Sequence, residues 1–185
     1  MQSEYGNINS PQELLEFMNN NFNYGYVDKN NQKHNEFADN FIVQSGNTMI
    51  QNKWGNCFDA VEFERFWFTN HNYEFITIFE MVKLDYPNNY PMHSYLVYKE
   101  NGCYHYFEWA DYNLRGIHSF DTFLEAINYQ FEHYLKVLDG LNITKEEKQK
   151  IIRKSYKKVE GNISILDFLK NVCNGEDVNE VSEIF

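Results

Sequence analysis

The stretch MHSYLVYKENGCYHYFEWA (92–110) admits few folds. Two runs rich in aromatic and β-branched residues flank Asn101-Gly102, a dipeptide suited to a turn with positive φ at both positions. The pattern predicts a hairpin with a two-residue turn, and such a turn sets the register of both strands. Opposed residues then have numbers summing to 203, so Glu100 faces Cys103, Tyr98 faces His105, Tyr95 faces Glu108 and His93 faces Ala110. Opposed and alternate residues share a face of a sheet. His93 and Glu108 are therefore diagonal neighbours on one face, within hydrogen-bond reach. His105 and Asp111 fall on the other face. A slip of one residue would reverse the choice and favour Asp111.

Upstream, QNKWGNCFDAVEFERFWF (51–68) places a cysteine directly after a Trp-Gly-Asn turn. The run from Cys57 to 71 is apolar nearly all round and predicts a buried central helix of about four turns. YEFITIFEMVKL (73–84) predicts a strand. SPQELLEFMNNNF (10–22) predicts a helix, with Ser10 as cap, Pro11 in the first turn and Glu13 closing a capping box. Residues 24–40 and 85–91 are turn-rich and predict loops. Residues 41–56 suggest a short apolar piece, a helical turn capped near Ser45 or Asn47, and a tight turn at Gly55. After the hairpin come an irregular or short strand segment (111–120) and a helix over 119–138 capped by Ser119. A charged amphipathic helix over 142–159, a short apolar helix over 163–173 and a frayed acidic end follow. The shift in composition near residue 140 divides the chain into a core (1–138) and a C-terminal helical appendage (139–185).

Hydrophobic residues make up 43% of the 185 residues, enough to build a real core. The formal net charge of −11 argues against nucleic acid and against an anionic membrane surface as partners. No run approaches a transmembrane span, and the N-terminus lacks the basic and apolar regions of a signal peptide. The three cysteines form no spaced pair, which suits a reducing compartment and a cytoplasmic location. His93, His105 and His118 with nearby acids have no metal-ligand spacing, and no cofactor is called for.

Cys57 stands at a helix N-terminus, where the macrodipole and free N–H groups favour a thiolate. Asp59 and Glu62 would oppose that if close, unless an imidazolium outweighs them; alternatively Asp59 stabilises the first turn of the helix. Taken singly, a cysteine is a small buried residue, a strand histidine is structural and a hairpin glutamate is solvated. Together, Cys57, His93 and Glu108 supply a nucleophile, a base and an orienter, the parts acyl transfer needs.

The blocks GNCFDAVEF, MHSYLVY and YFEWAD resemble the Cys, His and Asp/Glu blocks of the transglutaminase-like superfamily of thiol enzymes, relatives of papain. The steps of 36 residues from Cys57 to His93 and 15 from His93 to Glu108 are similar to the pacing of that superfamily's core, not of papain itself. The likeness covers roughly 10–135, and YGYVD and RGIHSF resemble small bacterial members. It implies an α+β fold of the transglutaminase-like, papain-like kind, a Cys-bearing helix packed on an antiparallel sheet that carries the His and the acid. It implies Cys57 as nucleophile, His93 as general base and acid and Glu108 as orienter. The superfamily more often has Asp in third place, which keeps Asp111 as a rival. Gln51, six residues before Cys57, has an offset similar to papain's oxyanion glutamine; Gln51 or Trp54 could join the Cys57 N–H as donors. The implied substrate is a protein, peptide or other amide, and either water or an amine would attack the acyl-enzyme it forms. The alternative is a degenerate member that binds a protein partner through its C-terminal helices.

Overall fold

The computed structural model describes residues 6–37, 40–83 and 90–178. Ser10 caps α1 (Pro11–Asn21) by accepting the Glu13 N–H, while the Glu13 carboxylate takes the N–H of Asn9 instead of completing a capping box. The stretch expected to be a loop holds three short strands, β1 (Asn23–Tyr24), β2 (Tyr26–Asp28) and β3 (Lys33–His34). The β2–β3 turn forms because Asp28 Oδ1 accepts the N–H groups of Asn30 and Gln32, both at 2.9 Å. β4 (Phe41–Val43) follows, then α2 (Gly46–Asn52), capped by Ser45, and β5 (Trp54–Gly55). α3 (Cys57–Asn70) leads into β6 (Glu74–Val82).

β7 (Met92–Glu100) and β8 (Cys103–Glu108) form the expected hairpin in the expected register, from Glu100–Cys103 to Leu96–Phe107. Asn101 and Gly102 have φ of 52° and 82°, the backbone that Asn-Gly favours. β9 (Gly116–Phe120) pairs with β8. It uses up the residues expected to start the next helix, so α4 (Phe123–Gly140) begins later and is capped by Thr122, not Ser119. The later described elements are α5 (Lys145–Lys148), β10 (Ile151–Ser155), β11 (Ile163–Ser164), α6 (Ile165–Cys173) and β12 (Glu176–Asp177). The parts of the expected loop and frayed end at 84–89 and 179–185 lie outside the described residues.

The fold is α+β. Its main sheet is antiparallel in the order β12-β10-β6-β7-β8-β9. A smaller antiparallel sheet has the order β11-β4-β2-β3, and β1 pairs in parallel with β5. Ala60, Phe63, Trp67 and Phe68 of α3 pack with Leu96, Tyr98 and Phe107 on one face of the main sheet. Ala126 and Ile127 of α4 pack with Ile78, Tyr95, Val97 and Tyr106 on the other. The central strands are covered on both faces, which is why residues 94–98 are all buried.

The expected helix over 142–159 is corrected to one helical turn and a strand. α5 stops at Lys148, and β10 pairs with β6 from Ile151–Val82 to Ser155–Ile78. Pairing with an otherwise open edge of the sheet, with Arg153 seated on buried Glu80, overrides a helix pattern that only local spacing supports. The division at 138/139 is corrected with it, because it falls inside α4. β10 lies between β12 and β6, and Phe168, Leu169 and Val172 of α6 close a core cluster with Phe58 and Val61 of α3. The described residues beyond 138 are thus built into the same core.

Candidate active site

The start of α3 is held by a reciprocal capping box. Asn56 Oδ1 accepts the N–H groups of Phe58 (2.8 Å) and Asp59, and Asp59 Oδ2 accepts the Asn56 N–H at 2.9 Å. Asp59 Oδ1 accepts the Gln44 N–H at 2.6 Å, tying the helix tip to the end of β4. Burial pushes the Asp59 carboxyl up to about 7, against the pull of these donors. Gly55 is required beside it, since a Cβ there would lie 2.8 Å from Asp59 Cβ. Asp59 is therefore the first-turn acid of the helix. Glu62 is drawn off to Arg65, 3.5 Å away. This scaffold sets Cys57 in the first turn of α3, buried, with its Sγ 3.9 Å from the Met92 carbonyl oxygen.

Beyond Leu96 and Phe107 the β7–β8 ladder ends, although β7 stays paired with β6 through His93–Glu80 and Glu108 with Gly116 of β9. The parted end of the hairpin holds His93 and Glu108. His93 Nε2 lies 2.7 Å from Glu108 Oε2, and the Cys57 thiol is near enough to the ring to help hold its proton. Since Nε2 is engaged by the carboxylate, Nδ1 is the nitrogen left for the thiol.

Glu108 is saturated with donors. Oε2 also accepts the Tyr106 hydroxyl at 2.6 Å, and Oε1 accepts the N–H groups of Ala110 (2.6 Å) and Asp111 (2.7 Å). Tyr106 in turn meets Gln130 Oε1 of α4 at 2.9 Å, so the helix on the far face of the sheet braces the acid. Burial acts to raise the Glu108 carboxyl, but the His93 charge and these hydrogen bonds outweigh it and hold it below its ordinary value. Burial likewise opposes the His93 imidazolium. The Glu108 charge and the hydrogen bonds to Cys57 and Glu108 outweigh it, and His93 is held well above 6.5.

Asp111, the rival acid, is elsewhere engaged: its Oδ2 lies 2.9 Å from His133 Nε2 of α4. His105 contacts Ser119 Oγ and the Glu100 carbonyl, and His118 the Leu114 carbonyl. Among the described residues no three His, Cys, Asp or Glu side chains form a group suited to a metal ion. Gln51 is exposed on α2 and does not line the cleft at the thiol. Trp54 Nε1 is buried without a hydrogen-bond partner among the described residues.

A cleft of about 360 Å³ opens at Cys57, walled by Tyr24 and Tyr26 of β1 and β2 and by Met92 of β7. Local pattern alone hid this wall in a polar stretch, where only the density of aromatic residues hinted at burial. Glu64 was also missed. Carried on the same helix as Cys57, it is 2% exposed, with Oε2 unpartnered among the described residues. Burial and the nearby Glu108 push its carboxyl well above the usual range, against the weaker pull of His93 and Arg65. All three cysteines are free thiols, and no helix among the described residues is long and apolar enough to cross a membrane. The sequence matches no protein-family model, and no curated protein matches it.

Proposed function

We propose that this chain is a transglutaminase-like thiol enzyme with the papain-like arrangement of helix and sheet, acting on an amide through a Cys57 thioester. The observation that carries this reading is the 2.7 Å contact of His93 with a buried, donor-saturated Glu108, on the strand whose Met92 carbonyl lies 3.9 Å from the thiol at the tip of α3. Glu108 holds the imidazole in one tautomer and stabilises its protonated form. His93 Nδ1 takes the thiol proton, and the thiolate adds to the amide carbonyl. The N–H of Cys57, in the first turn of α3 where no intrahelical acceptor exists, is a donor for the oxyanion. The intermediate collapses as His93 returns the proton to the leaving amine. Water or a second amine then attacks the thioester, giving hydrolysis or transamidation.

The test is competitive alkylation by iodoacetamide near neutral pH, read residue by residue by mass spectrometry. Cys57 is buried, whereas Cys103 and Cys173 are partly exposed. Without activation Cys57 reacts slowest of the three; with the proposed chemistry it reacts fastest. Slower labelling of Cys57 overturns the reading and favours a degenerate fold that serves only as a binding module.

A further inference from the structure

The cleft at Cys57 identifies the class of acyl group. Its floor is Phe58 and Met92, its wall Tyr26, and its rim Tyr24, Phe37 and Leu141. None of its described lining residues carries a charge. The rim residues are 44%, 43% and 53% exposed, and they are three of the six large hydrophobic side chains that the described surface exposes. Exposed apolar groups are normally scattered, and their gathering around one cleft marks a surface that something apolar covers. The thiol at its base says what that is: the group attached to the carbonyl that Cys57 attacks.

Ring geometry narrows the class further. Tyr26 meets Phe37 edge-to-face, centroids 5.6 Å apart at 81°, and meets Tyr24 at 6.3 Å and 78°. A further ring laid against this cluster from the cleft side continues the same edge-to-face packing. About 360 Å³ holds one such side chain with its carbonyl, at the small end of ligand clefts. A carboxylate in this place would lose its water and meet no cation among the lining residues. An ammonium would lose its water and meet no acid on the wall. We propose that the substrate presents an uncharged aromatic acyl group to this cleft, a reading that rests on the thiol-enzyme proposal.

The probes are N-acetyl-aminoacyl chloromethyl ketones bearing Phe, Ala, Glu or Lys side chains. The Cys57 thiolate displaces chloride to form a C–S bond, and the rate at Cys57 is read by mass spectrometry relative to each probe's rate with free glutathione. The Phe probe is expected to label Cys57 at least about tenfold faster than the Ala probe, with the Glu and Lys probes slower than Ala. Leu141→Asp, at an exposed rim position, is expected to lower the Phe rate and raise the Lys rate. Equal rates for Phe and Ala, or Phe and Lys rates unmoved by Leu141→Asp, overturn the substrate class while leaving an activated thiol in place. Failure of the iodoacetamide test, with Cys57 slower than Cys103 and Cys173, removes both proposals together.

Discussion

Replacing Glu108 by Gln is the sharpest perturbation of the site. The wild-type carboxylate accepts from His93, Tyr106, Ala110 and Asp111. Gln keeps one oxygen and gains two donors. If its NH₂ faces the backbone N–H groups of Ala110 and Asp111, two buried donors lose their acceptor at about 1–3 kcal/mol each. If its NH₂ faces His93 and Tyr106, the tyrosine hydroxyl can still donate to Gln130. His93 must then present a bare Nε2, which moves the ring proton to Nδ1. The second arrangement loses less, so folding suffers only the exchange of charge-assisted for neutral hydrogen bonds, about 1–3 kcal/mol. Chemistry suffers far more, because the nitrogen beside the thiol can no longer take its proton. Loss of a positioned base lowers the rate by about 10²–10⁴-fold. The deficit in stability also has a pH signature. Glu108 is held low in the folded state, so its contribution is present above 4.5 and lost as pH falls through its folded value. His93 is held high, so its contribution is full below 6.5 and lost as pH rises through its folded value. The gap between wild type and Glu108→Gln is thus widest between 4.5 and 6.5. Urea unfolding across pH and the rate of Cys57 alkylation measure the two effects. A variant as stable as wild type in that window, alkylated at Cys57 at the wild-type rate, refutes the assignment of Glu108 as orienter.

Three further outcomes are expected. Burial and the nearby Glu108 raise the Glu64 carboxyl well above 4.5 in the folded state, whereas the unfolded chain releases its proton above 4.5, so folding weakens as pH rises beyond that value. Glu64→Gln should flatten this slope and exceed wild type in stability at pH 8; parallel pH profiles in urea titrations would exclude a protonated Glu64. Gly25→Ala drives a Cβ into Trp54 Nε1 and to 2.7 Å from the His34 carbonyl oxygen, and should cost about 1–3 kcal/mol in thermal or urea unfolding, where a neutral result would show that β1 and β2 can shift apart. Arg153→Ala leaves Glu80 buried without its cation and should lower stability by about 3–5 kcal/mol in a single cooperative transition. A separate early transition for residues 139–178 would contradict their place in the common core.

The parts legible from sequence are those decided within a few residues. Asn101-Gly102 takes positive φ at both turn positions for reasons internal to the dipeptide, and the register that puts His93 beside Glu108 follows from counting. The tip of α3 is equally local, because Asn56 and Asp59 satisfy each other's backbone groups across three residues. The contact of His93 with Glu108, not with Asp111, follows from that register together with the splaying of the strands past Leu96 that tertiary packing provides.

Other features depend on partners far away in the chain. Residues 151–155 read as helix because their charges and apolar groups recur at helical spacing. They form a strand because β6 offers an open edge and Glu80, 73 residues earlier, needs the Arg153 guanidinium. The aromatic wall at Tyr24 and Tyr26 exists because β1 pairs with β5 and β2 with β4, joining a polar stretch to the doorway of α3. Periodicity measures only which neighbours share a face. It carries no information about which edge is vacant or which buried charge waits for a counterion. The sequence alone determined the cysteine at the helix tip and the His–Glu face of the hairpin; the tertiary structure decided that the helix tip lies against the start of β7, and what kind of cleft opens there.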